Sequence, residues 1–196
     1  VPHGFDMAAF SRGDYARALE QNTMAETISK VLYPADDHIE GKRLRLKQQY
    51  LLVSASLQSI LKEHYKQYGT LSNLADKVAV HINDTHPALG VPELMRLLVD
   101  QYEMGWDEAW EITCKCLSYT NHTVMAEALE HWQIDLFREQ LPRVYGIVRE
   151  IDRRTRNRLQ LAYPGDWAKI DYMAPISGGE VRMANLCLAA CHKING

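Results

Sequence analysis

The stretch from Val78 to Pro87 constrains the fold of this chain more than any other. Residues 78–82 are rich in β-branched types and predict a short buried strand. The strand cannot continue through the following Asn-Asp-Thr-His-Pro, because Pro87 lacks a backbone donor and restricts the residue before it. A polar cluster therefore lies just beyond the carboxyl end of a strand, where open α/β sheets place their ligand sites.

A second strand end repeats this arrangement. Leu117 to Thr120 predicts a strand that runs directly into Asn121, His122 and Thr123. Turn preferences of Asn, Asp and Thr account for either loop by itself. Two such loops together favour a sugar site, since sugars are held by many short, stiff hydrogen-bonding groups.

The bulk composition is that of one globular domain without a nucleic-acid or membrane character. The chain has 196 residues, of which 46% are hydrophobic and 24% are charged, with a net charge of −3. This balance supplies no basic field for nucleic acid or anionic membranes. No run approaches the ~20 apolar residues of a membrane-spanning helix.

The first residues and the cysteines indicate the cellular compartment in which this protein is expected. Val1-Pro2-His3-Gly4 has neither the basic nor the apolar region of a signal peptide, and the missing initiator Met favours an internal fragment or a trimmed chain. Cys114-x-Cys116 and Cys187-x3-Cys191 lie in apolar surroundings. We expect reduced thiols there in preference to a zinc site or a disulfide, and hence a cytoplasmic protein.

The coarse pattern predicts a helix-rich α/β fold with two short parallel strands and a hairpin around Gly178-Gly179. Thr23-x-x-Glu26 predicts a capping box that opens a separate helix carrying Ile28 and Leu32. Residues 1–12 read as irregular and 69–77 as a linker. The other helices are predicted over 14–21, 40–67, 92–102, 107–116, 125–130, 134–140, 142–161, 166–173 and 183–192.

Three motifs closely resemble the glycogen/maltodextrin (α-glucan) phosphorylase family. They are Asn83-Asp84-Thr85-His86-Pro87 with Pro92-Glu93-Leu94-Met95-Arg96, Tyr119-Thr120-Asn121-His122-Thr123 with Glu127-Ala128-Leu129-Glu130, and Val31-Leu32-Tyr33-Pro34 with the segment from Gly41 to Tyr50. The resemblance covers essentially the whole chain. It implies that residues 1–196 are a single fragment of the Rossmann-like N-terminal domain of a two-domain, glycosyltransferase-B-type enzyme.

The resemblance also implies a set of site residues. The family position matching His122 touches the reacting glucosyl unit, through its main-chain carbonyl near the anomeric carbon and its ring on the 6-hydroxyl. A loop at residues 33–38 gates the catalytic cleft, and many relatives have Asn where this chain has Ala35 and Asp37. The positions expected to bind substrate are Asp84, His86, Thr123, Asp36 and Asp37.

The implied reaction transfers a glucosyl unit from an α-1,4-glucan to phosphate, giving glucose 1-phosphate and a shortened glucan, through an oxocarbenium-like state. In the family a pyridoxal phosphate on a lysine of the C-terminal domain handles the phosphate. That domain is absent here, so we expect the fragment by itself to be inactive. The helix near 14–21 matches one that forms a homodimer. Lys62 and Glu63 stand where animal relatives bind AMP through an arginine pair, which predicts no activation of that type.

Two other interpretations of the residues stay open. Asp84, His86, His122 and His131 could be ligands in a helical metal hydrolase, although Asn83 and Thr85 are poor ligands. Alternatively, the fragment is a non-enzymatic dimer-forming or glucan-binding module, with Tyr15 and Leu19 at the pairing surface. The arginine run between 149 and 158 suggests either a phosphate or RNA site or, as we prefer, a solvated face paired with Glu150 and Asp152.

Overall fold

The described part of the chain in the computed structural model is residues 5–196, without the side chains of Gln21, Asn22, Met24 and Ala126. Residues 1–4, which bear on the expectation about a signal peptide, lie outside it. The chain forms two compact units, residues 1–48 and residues 49–196. None of the described helices combines the length and the apolar character that a membrane span requires.

The helices are α1 (Met7–Ser11), α2 (Tyr15–Lys30), α3 (Ile39–Tyr68), α4 (Leu74–Lys77), α5 (Gly90–Arg96), α6 (Trp106–Cys116), α7 (Ile134–Gln140), α8 (Pro142–Ala162), α9 (Trp167–Met173) and α10 (Met183–Ala190). The strands are β1 (Val80–Asn83), β2 (Leu117–Thr120), β3 (His131–Gln133), β4 (Ile176–Ser177), β5 (Glu180–Arg182) and β6 (Lys193–Asn195).

In the first unit, aspartates start both α1 and α2. Asp6 Oδ1 accepts from the Ala9 N–H at 2.9 Å, and Asp14 Oδ1 accepts from the Arg17 N–H at 3.2 Å. The predicted capping box at Thr23 is wrong, because α2 runs unbroken from Tyr15 to Lys30 and the Thr23 carbonyl accepts from the Thr27 hydroxyl. With no Gly or Pro to interrupt it, a helix already begun extends at less cost than a new one nucleates. The expectation that residues 1–12 are irregular fails for α1.

The loop before α3 is held by side chains on both sides. His38 Nδ1 accepts from the Gly41 N–H at 2.8 Å, which caps the first turn of α3. The buried amide of Gln48 donates to the carbonyls of Ile28 at 2.9 Å and Val31 at 2.6 Å. Asp36 pairs with Arg45 at 2.7 Å. These contacts fix the ends of the loop at residues 33–38.

In the second unit, three parallel strands form a sheet in the order β1-β2-β6. β1 pairs with β2 from Val80↔Leu117 to Asn83↔Thr120. The two predicted parallel strands are therefore confirmed, with β1 shifted towards its polar end. The third strand was not predicted, because three residues after a predicted helix over 183–192 carry no strand pattern of their own. Lys193–Asn195 is short and exposed, and its partner β2 defines it as a strand.

The two faces of this sheet differ in chemistry. Ile82, Leu117 and Tyr119 on one face are buried to within 2% exposure. The other face is polar on all three strands, with its side chains exposed or half-exposed. Its members are His81, Asn83, Ser118, Thr120, Lys193 and Asn195, which the register places side by side. We name these six residues the polar face. An exposed face of this kind is unusual, because parallel sheets usually have both faces covered.

A second, antiparallel sheet has the order β3-β5-β4. The predicted hairpin is confirmed: Gly178 and Gly179 join β4 to β5 with φ values of +59° and +79°, which favour glycine. β3 was missed, since three residues between helical segments carry no readable period. The predicted helix over 125–130 is a single 3₁₀ turn, Ala126–Ala128.

The remaining helices follow the sequence with local corrections. α5 continues as a π-helical turn over Leu97–Gln101, and the predicted linker at 69–77 contains α4. Asp107 does not cap α6, since Gly105 precedes its first residue. α8 buries an apolar stripe that includes Ile147 and Ile151.

Three of the arginines on the charged side of α8 are ion-paired, as the preferred interpretation predicts. Arg153 and Arg154 bind Glu150 at 2.6 Å and 2.7 Å, and Arg156 binds Asp152 at 2.9 Å. These carboxylates occupy the guanidinium groups that a phosphate would need.

Candidate functional site

The two predicted loops leave the sheet side by side. Asn83 and Thr120 are register partners at the carboxyl ends of β1 and β2. The Asp84 N–H donates to the Thr120 carbonyl at 2.9 Å, which extends the ladder one residue further. Rigid strands therefore deliver both loops to the same edge, as the sequence pattern predicted.

Asp84 has a backbone that few L-residues adopt. Its φ of +68° lies in the left-handed region, where aspartate is tolerated better than most residues because its side chain bonds locally. Asp84 Oδ1 accepts from the Thr85 N–H at 2.6 Å and from the Thr85 hydroxyl at 3.3 Å. Thr85 is 4% exposed. The turn thus fixes one oxygen of the aspartate carboxylate.

The second loop is shaped by Asn121. Its N–H donates to the Asn195 carbonyl of β6 at 2.8 Å, and its side-chain amide donates to the Thr123 carbonyl at 2.5 Å. The Thr123 hydroxyl accepts from the Met125 N–H at 3.1 Å. Asn121 and Thr123 therefore build the turn that presents His122. For these two residues this is the ordinary turn role that the sequence pattern predicted as the alternative to sugar binding.

A side-chain bond joins the two loops. His122 Nε2 lies 2.6 Å from Asn83 Oδ1, and both side chains are exposed. Asn83 was missing from the predicted site residues. The motif Asn83-Asp84-Thr85-His86-Pro87 contained this residue, but only the strand register with Thr120 places it beside the residue that follows β2. The structure thus brings Asp84, His122 and Thr123 to one edge, with His86 half-buried in the first loop.

The two predicted gate carboxylates belong to the other unit, residues 1–48. Asp36 is engaged by Arg45, and Asp37 is exposed.

Glu93 anchors the helix that follows the first loop, and sequence reasoning missed it. It is fully buried on α5, yet it accepts from Ser54 at 2.6 Å and Tyr50 at 3.0 Å, both on α3. Arg96 donates to both of its oxygens, at 2.7 Å and 2.8 Å. Burial and the neighbouring carboxylate raise the pKa of Tyr50. The start of α5 is thereby tied to α3, which limits movement of the loop in front of it.

A groove of about 510 Å³ lies along the sheet and is lined by His81, Ser118, Tyr119, His192, Lys193, Ile194 and Asn195. His81 Nε2 lies 2.8 Å from the Thr120 hydroxyl oxygen, and its Nδ1 lies 3.1 Å from that of Ser118. Both ring nitrogens of His81 are therefore engaged. The predicted site residues are not among those that line this groove.

The metal-hydrolase alternative finds no support in the geometry. Within residues 5–196, no group of three His, Cys, Asp or Glu side chains is placed to hold a metal ion. His131 instead lies on β3, with Nδ1 3.1 Å from the Leu129 carbonyl and Nε2 3.6 Å from Glu180. The proposed ligands do not converge.

The four cysteines are free thiols. Burial raises the pKa values of Cys114 and Cys116 to about 11, so both are protonated at neutral pH. A hydrogen bond from the Cys187 thiol lowers the pKa of Cys191.

Comparison with known proteins agrees with the motif resemblance along the whole chain. The sequence profile of the carbohydrate phosphorylase family matches residues 1–196. Glycogen phosphorylase of Chlamydia trachomatis is 48% identical over 99% of this chain, and that of Bacillus subtilis is 53% identical over 87%. The muscle form from Homo sapiens is 44% identical over the full chain. The chain spans only 24%, 21% and 25% of these relatives' lengths. The chain belongs to the carbohydrate phosphorylase family.

Proposed function

We propose that this chain is part of an α-glucan phosphorylase, which uses phosphate to release glucose 1-phosphate from an α-1,4-glucan. The observation that carries the proposal is the cross-loop pair of His122 and Asn83 beside Asp84, at the carboxyl edge of a parallel sheet. Relatives named glycogen phosphorylase are 48% and 53% identical to this chain. We further propose that the sheet belongs to the N-terminal domain of a two-domain, glycosyltransferase-B-type enzyme in the cytoplasm.

The proposed chemistry needs fixed negative groups near a carbon that becomes positive. Glucosyl transfer passes through an oxocarbenium-like state, which carboxylates and carbonyl dipoles stabilise when they are held in place. We assign this role to the Asp84 carboxylate and the His122 carbonyl. His86, Thr123 and the gate residues Asp36 and Asp37 are proposed to bind sugar hydroxyls.

The residues present do not fit the pyridoxal phosphate that the family implies. A Schiff-base lysine has to be enclosed with its aldehyde partner, and burial lowers its pKa for that purpose. No lysine in the part of the chain that the structure describes is buried, and only Lys47 is even half-buried. We therefore propose that the cofactor and phosphate sites lie elsewhere in a longer polypeptide, and that this chain by itself does not catalyse phosphorolysis.

We also propose dimerisation through α2, the second function that a specific observation favours. Tyr15 is 60% exposed and Leu19 is 48% exposed on this helix. Large exposed apolar side chains are typical of partner surfaces. Replacing both by Asp should convert a dimer of this chain to monomer in analytical ultracentrifugation. An unchanged sedimentation coefficient would contradict this surface.

Activity is tested in two arms. The 196-residue chain, with pyridoxal phosphate, glucan and phosphate, should give no glucose 1-phosphate above background, and turnover would reject the inactivity proposal. A full-length enzyme carrying this sequence should be active, and Asp84→Ala should lower kcat by about 100-fold, as removal of one charge-stabilising group does. His81→Ala is the matched control from the polar face. Equal activity of Asp84→Ala and His81→Ala would contradict the assigned site.

A further inference from the structure

We propose that Asn83 is a positioning residue that holds the His122 ring in the tautomer with a proton on Nε2, which leaves Nδ1 as an acceptor for a ligand hydroxyl. The ligand part of this inference rests on the proposed function. The ring geometry rests only on residues of the second unit.

The geometry is that of a rigid group orienting a less constrained one. Asn83 is the last residue of β1, in register with Thr120, and the next N–H along the chain also bonds to the Thr120 carbonyl at 2.9 Å. Its backbone is therefore fixed on both sides. His122 lies in a loop and is exposed, so packing does not set its ring orientation. The 2.6 Å bond to Asn83 Oδ1 does.

The identity of the facing atoms decides where the proton lies. An amide oxygen can only accept, so His122 Nε2 must donate. In a neutral imidazole the other nitrogen is then an acceptor. Within the described residues, Nδ1 of His122 has no hydrogen-bond partner.

His81 provides the contrast on the same face. Its Nε2 faces the Thr120 hydroxyl and its Nδ1 faces the Ser118 hydroxyl, so no ring nitrogen is left over for a ligand. Hydroxyls both donate and accept, so these partners leave the tautomer of His81 unspecified. Asn83 differs from the partners of His81, because it specifies one tautomer of the His122 ring and leaves Nδ1 of that ring available.

The consequence is a preference for ligand chemistry. A neutral Nδ1 acceptor binds a donor, which a sugar hydroxyl is, and it repels the lone pairs of a phosphate oxygen or a carbonyl. Asn83 therefore contributes to selecting a hydroxyl over an oxyanion at this position, without touching the ligand itself.

The test is nitrogen-15 NMR of the labelled 196-residue chain at a pH where the ring is neutral. We expect His122 to show a protonated Nε2 with a ring N–H slowed in solvent exchange, and an unprotonated Nδ1. Asn83→Leu removes the acceptor, so the N–H signal should be lost by exchange. Asn83→Asp keeps the acceptor and should retain the signal. Thr120→Val should disturb His81 and leave His122 unchanged.

A protonated Nδ1 in the unsubstituted chain, or a His122 spectrum that Asn83→Leu does not change, would overturn the proposal. A second arm uses the full-length enzyme, in which Asn83→Leu should raise KM for glucan about tenfold, the effect of one lost hydrogen bond. If the NMR result holds while KM is unchanged, the tautomer assignment stands and the sugar-site assignment fails.

Discussion

The buried carboxylate of Glu93 on α5 accepts a 2.6 Å hydrogen bond from the Ser54 hydroxyl on α3. A fully buried charge is tolerated only when it is paired and its remaining lone pairs are satisfied. Arg96 and Tyr50 supply the other donors. This cluster ties together the two helices on which the loop from Asp84 to Pro87 depends.

Glu93→Ala should therefore lower the free energy of unfolding by about 3–5 kcal/mol, because it leaves a guanidinium and two hydroxyls without their acceptor. Urea denaturation of the chain measures this. Glu111→Ala is the control, since Glu111 pairs with Lys115 on an exposed helix face and its loss should change stability little. Equal midpoints for the two variants would show that the buried cluster does not hold the helices.

Replacing two helical glycines by alanine should change the stability of the chain in opposite directions. A Cβ at Gly41 would collide with the Ala35 carbonyl and come within 2.8 Å of the His38 ring. Gly41→Ala should therefore displace the loop at 33–38 and cost about 1–3 kcal/mol, as overpacking does. At Gly146 on α8 the nearest atom is an Arg143 nitrogen at 3.9 Å, so Gly146→Ala should stabilise the chain by about 0.5–1 kcal/mol. Thermal unfolding of both variants decides, and a loss of stability at Gly146 would contradict the open space there.

The positive φ of Asp84 should make the stability of a substituted chain depend on which residue replaces the aspartate. Both Asp84→Gly and Asp84→Val lose the hydrogen bond from the Thr85 N–H, but glycine adopts a positive φ without strain. Asp84→Val should therefore cost about 1–2 kcal/mol more than Asp84→Gly, since a β-branched side chain is strained there. Chemical denaturation compares the two variants, and a valine variant as stable as the glycine variant would show that the turn is not constrained.

Glu150 should make stability depend on acid pH. Hydrogen bonds from Arg153 and Arg154 lower the pKa of Glu150 from its usual value of 4.5 to about 2. A carboxylate with a depressed folded-state pKa stabilises the fold above pH 4.5, and this contribution is lost as pH falls towards 2. Glu150→Gln should thus cost about 1 kcal/mol at neutral pH, because its partners are solvated, and nothing near pH 2.

Denaturation of the unsubstituted chain and the variant across this range measures that difference, with exposed Glu127→Gln as the control. A difference between the Glu150 variant and the unsubstituted chain that stays constant from neutral pH to pH 2 would mean that the arginines do not act through the carboxylate.

The thiols should differ in reactivity towards iodoacetamide at neutral pH. The thiolate is the nucleophile, so a lowered pKa speeds alkylation and burial slows it. Cys191, half-buried beside the Cys187 thiol, should be labelled first, and the buried Cys116 and Cys187 last. Cys187→Ala should slow labelling of Cys191 by removing the donor. Peptide mapping by mass spectrometry gives the order, and early labelling of Cys116 would contradict its burial.

Local sequence was sufficient where the physical cause is local. The β-branched run before Asn83 and the proline at position 87 place a strand end and a polar loop, because both act within a few residues. Gly178-Gly179 likewise predicts its hairpin, since only a few turn types accept two positive φ values. The absence of a helix breaker between residues 15 and 30 was also in the sequence, and the capping pattern at Thr23 wrongly outweighed it.

Tertiary structure decided whatever depends on a distant partner. Lys193–Asn195 is a strand only because β2 lies beside it, and Glu93 reads as a first-turn surface residue until α3 covers it. The bond between Asn83 and His122 spans 39 residues of sequence and exists because the strands pair in one particular register. Sequence by itself thus determined which groups the chain carries to the edge of its sheet. Strand register and helix packing decided which of them meet, because contacts between remote residues are set by the whole core and not by their neighbours in the chain.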